Sequence, residues 1–318
     1  MAFMRNDNSE VLLSICIPTF NRAAQLDETL KSITNQKIFS KTNKIEIIIS
    51  DNCSSDGTLF VVNKYKVEHQ EKIVYSKNVE NIFDKNFEKV LSLANGCFLK
   101  LNNDTLINLD GGLEKMLKLI EENLNKKPTI FFSNGGLKVY KHIKGTGLDF
   151  FISNVSIKST WIASFGIWKT TFDTISDFSK NSKLQLTQTD VLFRVIKSDT
   201  EVIIDDEVHF ETLNITKKGG YDLLEIFFDN YKLLLEKGLV QNNLSLIVYK
   251  KELKKILFTF FCHWIALIKV YPEKYTFSYK NYKAKFSSNY NIAVYLLFQI
   301  KLNLLVFKYN LKKCINLK

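Results

Sequence analysis

Over its first hundred residues the chain sets continuous apolar runs against segments of helical periodicity. "VLLSICIPTF" (Val11 to Phe20) reads as a strand stopped by Pro18, and in "NRAAQLDETLKSITNQ" the residues Ala24, Leu26, Leu30 and Ile33 fall at helix-like spacing. The unit repeats. "KIEIIIS" (Lys44 to Ser50) is a second apolar strand, "DNCSSDGT" a polar turn, and "LFVVNKYKVEH" a further helical pattern. Ile73 to Tyr75 give a short strand, "FDKNFEKVLSLANG" an amphipathic helix ending at Gly96, and "FLKLNNDTL" (Phe98 to Leu106) a strand that breaks into Asn-Asn-Asp before the helix-like "GGLEKMLKLI". Strands without in-and-out alternation, separated by amphipathic helices, predict a parallel, doubly wound α/β sheet covered on both faces.

The middle of the chain is patterned less clearly. "TIFFSNGG" (Thr129 to Gly136) reads as strand and turn, and Lys138 to Ser153 as a mobile loop with two glycines suited to ligand contacts. Trp161 and Trp168 offer flat aromatic surface to a ligand, but their seven-residue spacing also fits one buried helix face, and the core reading is preferred. "LQLTQTDVLFRVI" sets Asp190 just before an apolar helical stretch. An alternating strand follows from Glu201, then His209, read as structural rather than metal-ligating, a Gly219-Gly220 turn, and a helix from Leu223 to Lys237 ended by Gly238.

Beyond residue 238 the pattern changes. Leu253 to Tyr271 and Asn291 to Phe307 are strongly apolar segments bordered by lysines and tyrosines. The first has too short an uninterrupted apolar core to span a bilayer, and Gln299, Lys301 and Asn303 break the second. Interfacial amphipathic helices, or a helical bundle docked on the preceding domain, are the two readings, the first preferred. Charge sharpens this. From Lys250 onward there are fourteen lysines against Glu252 and Glu273, +12 in all, which leaves about −1 on the first 249 residues of a chain of net +11. An aromatic-rich basic tail fits an anionic membrane surface, with no nucleic-acid partner expected.

Composition adds little else. At 318 residues and 46% hydrophobic the chain can bury a large core. Cys16, Cys53, Cys97, Cys262 and Cys314 form no C-x-x-C pair, and the polar opening "MAFMRNDNSE" does not read as a signal peptide, so a reducing cytosol is expected.

The chemistry gathers where the strands end, at the edge where parallel α/β sheets bind ligands. Asp51 closes the second strand, where it can take hydrogen bonds from a nucleobase or ribose, or serve an Asx-turn; position favours Asp51 for ligand and Asp56 for helix cap. Lys85 and Asn86 open a helix that can face a diphosphate. Asn102, Asn103 and Asp104 offer oxygen ligands to a hard divalent cation held partly by a substrate's phosphates.

Together "LSICIPTFNRAAQLDETLKSI", "IEIIISDNCSSDGT" and "KNVENIFDKNFEKVLSLANGCFLKLNNDTL" resemble the nucleotide-sugar half of inverting family 2 glycosyltransferases of GT-A fold. The resemblance is to the abequosyltransferase-like group of bacterial O-antigen and capsule enzymes, strongest over Leu13 to Met116. It implies a Rossmann-like, mostly parallel sheet with a C-terminal helical, basic extension. Residues 1–238 would form the catalytic domain, with a nucleotide-sugar half at about 11–116 and an acceptor half at 117–238, and 239–318 the extension. By position, Pro18, Thr19 and Phe20 would line base and ribose, Asp51 would bind the base, and Asn78 and Lys85 would lie beside the nucleotide. The family's metal-binding D-x-D falls on Asn102, Asn103 and Asp104; only the final Asp is kept, so weaker affinity for free Mg or Mn is expected. Asp190 looks like the catalytic base, or is a first-turn charge favoured by the helix dipole, with Asp173 and Asp177 weaker candidates.

The function implied is transfer of one sugar, with inversion, from a nucleoside-diphosphate donor to a glycan or lipid-linked glycan in surface polysaccharide synthesis. A UDP-sugar is expected before a CDP- or dTDP-sugar. The enzyme is expected in the cytoplasm, peripheral on the inner face of the membrane. The alternative is a membrane-associated nucleotide-binding or scaffold protein on a degenerate transferase fold, which the two asparagines of the metal motif suggest.

Overall fold

A computed structural model describes residues 10–139, 141–213 and 218–315. In chain order the strands are β1 (Leu13–Thr19), β2 (Ile45–Asp51), β3 (Ile73–Lys77), β4 (Phe98–Leu101), β5 (Leu106–Asn108), β6 (Thr129–Phe132), β7 (His142–Thr146), β8 (Gly166–Trp168), β9 (Glu201–Asp205), β10 (Phe210–Thr212), β11 (Lys218–Asp222) and β12 (Tyr275–Ser278). The chain divides into two compact units. One comprises residues up to Phe151 and Lys158–Leu213; the other comprises Ile152–Ile157 and everything from residue 214 on.

The first unit is built on a five-stranded sheet in the order β3-β2-β1-β4-β8. Its first four strands are parallel and β8 is antiparallel to β4. Every residue of β2, and all but Pro18 of β1, is buried, which is why these segments read as near-continuous apolar runs. The register pairs Thr19 with Asp51 and Asp51 with Lys77, so three strands finish level at one edge. The Asn-Asn-Asp segment leaves β4 toward the same edge, its first amide (Asn102 N–H) donating to the Cys16 carbonyl of β1 at 2.8 Å. A second sheet, β6-β9-β7, and a β5–β10 pair complete the unit. Phe98 joins the layers, edge-on to Trp168 at 5.0 Å and to Phe132 at 6.2 Å.

Several expectations are corrected. The helix expected to end at Gly96 spans Lys85–Ser92. It stops early because the Asn95 and Gly96 amides turn to buried acceptors, Glu46 Oε1 (2.6 Å) and Ser14 Oγ (2.8 Å). Lys138 to Ser153 is not a free loop: His142–Thr146 pairs with β9, and a helix begins at Gly147. Trp168 lies on a strand rather than a helix, buried as core, with its indole N–H donating to the Pro128 carbonyl at 2.7 Å. Gly219 and Gly220 lie within β11, at φ of +146° and +91°, and Gly238 lies inside the helix Tyr231–Val240.

Gly96 makes a sharp stability prediction. A Cβ there would meet Ser14 Oγ at 2.5 Å and Ser14 N at 2.9 Å, on the central strand. Gly96→Ala should lose ~1–3 kcal/mol, since an overpacked core shifts backbone or forces off-rotamer side chains. Urea unfolding with an unchanged m-value would register it.

The second unit is mainly helical, with β11 and β12 paired in parallel. Its core is aromatic: Phe228, Phe261, Phe286 and Phe298 pack at centroid distances of 5.2 to 5.8 Å. The first apolar tail segment forms the helices Leu246–Ile256 and Cys262–Val270 around this core, with Leu257, Phe261, Ile265 and Ala266 all buried. That segment therefore packs into the core of the second unit, its apolar side chains covered by the unit's own helices.

Candidate functional site

At the carboxyl edge of the sheet lies a pocket of about 320 Å³ lined by Pro18, Thr19, Phe20, Arg22, Asn52, Phe83, Asp84, Asn86, Phe87, Asn103, Asp104 and Ile162. Thr19 and Asp104 meet because β1 and β4 are neighbours and both chains leave the sheet there. The Thr19 hydroxyl donates to Asp104 Oδ2 at 2.9 Å, and Arg22 Nη1 donates to Asp104 Oδ1 at 2.9 Å. Asp104 is 2% exposed. Burial pushes its carboxyl above the usual carboxylate range, while the Arg22 guanidinium and the Thr19 hydroxyl pull it down.

Asn103 Oδ1 is buried without a hydrogen-bond partner in the same pocket. An orphaned amide oxygen beside a carboxylate fits a hard cation that takes oxygen ligands. Among the described residues no group of three or more His, Cys, Asp or Glu is placed to hold a metal. Further ligands would have to come from a phosphate group or water.

The other expected residues sit behind the wall rather than in it. Asp51 is 1% exposed, with Oδ1 accepting from the Ser54 amide and Oδ2 from the Tyr75 hydroxyl, both at 2.8 Å. It thus makes the Asx-type bond that was the alternative to ligand binding. Asp56, expected as a helix cap, stands one residue before the N-cap Gly57, and its carboxylate takes the first amides of two helices, Ala23 at 2.9 Å and Thr58 at 3.1 Å. Asn78 donates to Asn86 Oδ1 (2.9 Å) and Asn52 Oδ1 (3.3 Å), while Asn86 Nδ2 donates to the Ser50 carbonyl at 2.9 Å. This asparagine network fixes the loops that carry Asn52 and Asn86 into the pocket wall. Lys85 is exposed and does not line the pocket, nor does Asn102, which is buried with its amide on the Asn103 carbonyl at 3.0 Å.

Asp190 lies in the first turn of the helix Thr187–Val195 and is 3% exposed. Its Oδ2 takes Arg194 Nε at 2.9 Å and its Oδ1 takes Asn181 Nδ2 at 2.8 Å. It does not line the pocket, but Thr187 on the same turn donates to Asp84, which does, at 3.3 Å. Burial pushes the Asp84 carboxyl up to about 6, against the pull of that hydroxyl. Asp173 pairs with Lys169 on an exposed helix, and His209 is fully buried between Asp205 Oδ2 (2.6 Å) and the Gly112 carbonyl (3.3 Å), a structural position.

Sequence reasoning missed Arg22, Phe83 and Asp84. Phe83 is 77% exposed at the pocket with a left-handed φ of 50°, a backbone state that bulky residues rarely adopt. With Phe20, 42% exposed, it offers aromatic surface at the pocket mouth.

Under the site lies Lys100 of β4, 1% exposed. Its Nζ donates to the carbonyls of Leu101 (2.7 Å) and Ala163 and lies 5.1 and 5.2 Å from the ring centroids of Phe132 and Phe210. Burial lowers its pKa to about 7. A lysine of the unfolded chain titrates near ~10.4, so between about pH 7 and 10 the unfolded state holds a proton the folded state has lost, and stability rises with pH across that window. The urea midpoint should therefore increase from pH 7 to pH 9, and Lys100→Met should remove most of that increase.

The sequence model of the family "Glycosyl transferase family 2" matches residues 14–181, which include the whole pocket wall. Abequosyltransferase RfbV of Salmonella typhimurium is 42% identical over 99 residues, 30% of this chain and 29% of that protein. The chain covers only about a third of the length of the curated relatives it first matches. Among solved structures, TarS of S. aureus in complex with UDP-GlcNAc superposes with a TM-score of 0.58 at 17% identity, over 77% of this chain and 71% of that one. The mannosyltransferase PcManGT of Pyrobaculum calidifontis, in complex with GDP-Man and Mn2+, gives 0.52 at 13% identity, over 96% and 88%. The fold is that of GT-A glycosyltransferases, as expected.

Proposed function

The chain belongs to glycosyl transferase family 2, and we propose that it moves a sugar from a nucleoside-diphosphate donor onto a glycan or lipid-linked glycan, with inversion, in bacterial surface polysaccharide synthesis. The observation that carries this reading is the convergence of Thr19, Arg22, Asn103 and Asp104 on one polar pocket at the carboxyl edge of the sheet. The similar proteins support it: one is named an abequosyltransferase, and the two solved structures hold nucleotide-sugars.

In this reading Pro18, Thr19 and Phe20 border base and ribose, and Phe83 supplies a second aromatic surface. Asp51 supports the base subsite indirectly, by holding Ser54 and Tyr75. Arg22 sets positive charge against the diphosphate, and Asn78 and Lys85 act from outside the wall. Mg or Mn would be held by Asp104 and Asn103 and would stabilise negative charge on the departing diphosphate. Asp190 takes the proton of the acceptor hydroxyl as its oxygen bonds to the anomeric carbon and the bond to the diphosphate breaks. The donor is a UDP-sugar, with CDP and dTDP next; the enzyme works in the cytoplasm at the inner membrane face.

Thermal unfolding with UDP, CDP, dTDP and GDP, each with and without Mn, tests this. One nucleotide should raise Tm, more so with metal, because a ligand of the folded state alone stabilises it. No shift from any nucleotide would transfer the assignment to a non-catalytic scaffold.

A further inference from the structure

The last helix, Ile292–Ile315, has two apolar faces and uses one. On the inner face Phe298 and Leu302 are fully buried, the Tyr309 hydroxyl meets His263 Nδ1 at 2.7 Å, and Lys313 donates to the Val270 carbonyl at 2.8 Å. On the outer face Leu296, Ile300, Leu304, Phe307, Leu311 and Ile315 are each 51 to 70% exposed. At 3.6 residues per turn these six fall within an arc of about 100° along a helix of roughly 36 Å. Exposed apolar stripes of this extent mark an interaction surface.

The edges of the stripe differ. Lys301, Lys308 and Lys312, all exposed, run along one side, and Asn303 and Asn310 along the other. The helix contains no Asp or Glu, and the chain from Lys250 on carries +12. We propose that this face lies on an anionic lipid surface, with the six apolar side chains at the acyl boundary and the lysine row at the headgroups. A second copy packed on the same stripe would bring no countercharge to the lysines, whereas acidic lipid does. The helix could cross a bilayer by length and hydropathy, but Phe298 and Leu302 commit its opposite side to the protein. The inference deepens the proposed function by naming the surface where a lipid-linked acceptor is met, and it rests on that reading only for its purpose.

The test is sedimentation of the full chain with phosphatidylcholine vesicles, with and without phosphatidylglycerol. Binding should require phosphatidylglycerol and weaken with salt. Leu304→Gln/Phe307→Gln should reduce it by at least ~10-fold, the effect of ~1.4 kcal/mol of lost apolar burial. Lys308→Gln/Lys312→Gln should weaken it without changing Tm, and adding Lys301→Gln, whose Nζ lies 5.9 Å from the Phe258 ring centroid, should weaken it further. No sedimentation with acidic vesicles, or binding indifferent to the Leu304/Phe307 variant, overturns the proposal. So do carbonate-resistant insertion, which marks a spanning helix, and a lipid-independent dimer lost in that variant. None of these readouts uses donor or acceptor, so a failed nucleotide assay leaves the result standing.

Discussion

Asp104→Asn is expected to lower transfer by ~10²-fold or more, the scale of removing one electrostatic contact to a developing oxyanion, while leaving the fold nearly unchanged. The amide oxygen can still accept from the Thr19 hydroxyl, and the lost ion pair is with a guanidinium whose side chain is 50% exposed, worth ~0–1 kcal/mol after solvent screening. Removing a carboxylate that burial disfavours offsets part even of that. The diagnostic pattern has three parts: Tm in buffer close to the parent, a nucleotide-induced rise retained, and its enhancement by Mn abolished. A fully active variant would remove Asp104 from the metal role. A variant unfolded at assay temperature would make Asp104 a structural clasp between β1 and β4 instead.

What the sequence made legible follows from what surrounds each residue. Strands β1, β2 and β4 stood out because both faces of each are buried, so apolar residues dominate the run and the few polar ones inside it, Ser14, Glu46, Ser50 and Lys100, are buried with them. The Asn102-Asn103-Asp104 step stood out because such a break after a buried strand falls at the ligand edge of a parallel sheet. The role of Asp51 was not legible: the same side chain at the same strand end serves ligand or Asx-turn, and Tyr75 on the neighbouring strand decides by occupying the second oxygen. Arg22 and Asp84 were missed because their importance is tertiary. An arginine after β1 becomes the counterion of Asp104 only through the pairing of β1 with β4, and Asp84 acquires its raised pKa only from burial near Thr187. In the tail, hydrophobicity was evident in both segments, but only the docking of Phe298 and Leu302 shows which side of the last helix is left outside.

Asp190→Asn is the second decisive substitution, expected to reduce turnover by ~10²–10⁴-fold, the usual contribution of a general base. Here activity and structure must be separated, because Asp190 is also the partner of Arg194 and Asn181. Arg194→Gln breaks the same ion pair but keeps the carboxylate; a base at Asp190 predicts that it loses stability comparably yet retains most transfer. Asp84→Asn is the competing case, since that carboxyl lines the pocket and burial holds it at about 6. If Asp84 were the base, its substitution would cause the large loss and would abolish an activity limb with a midpoint near pH 6, while Asp190→Asn would follow Arg194→Gln. With Asp190 as base, Asp84→Asn should chiefly alter donor KM, as expected of a group that borders the pocket without taking the proton. The three variants, each profiled for Tm, kcat and KM from pH 5 to 8, assign the proton transfer to one carboxylate or the other.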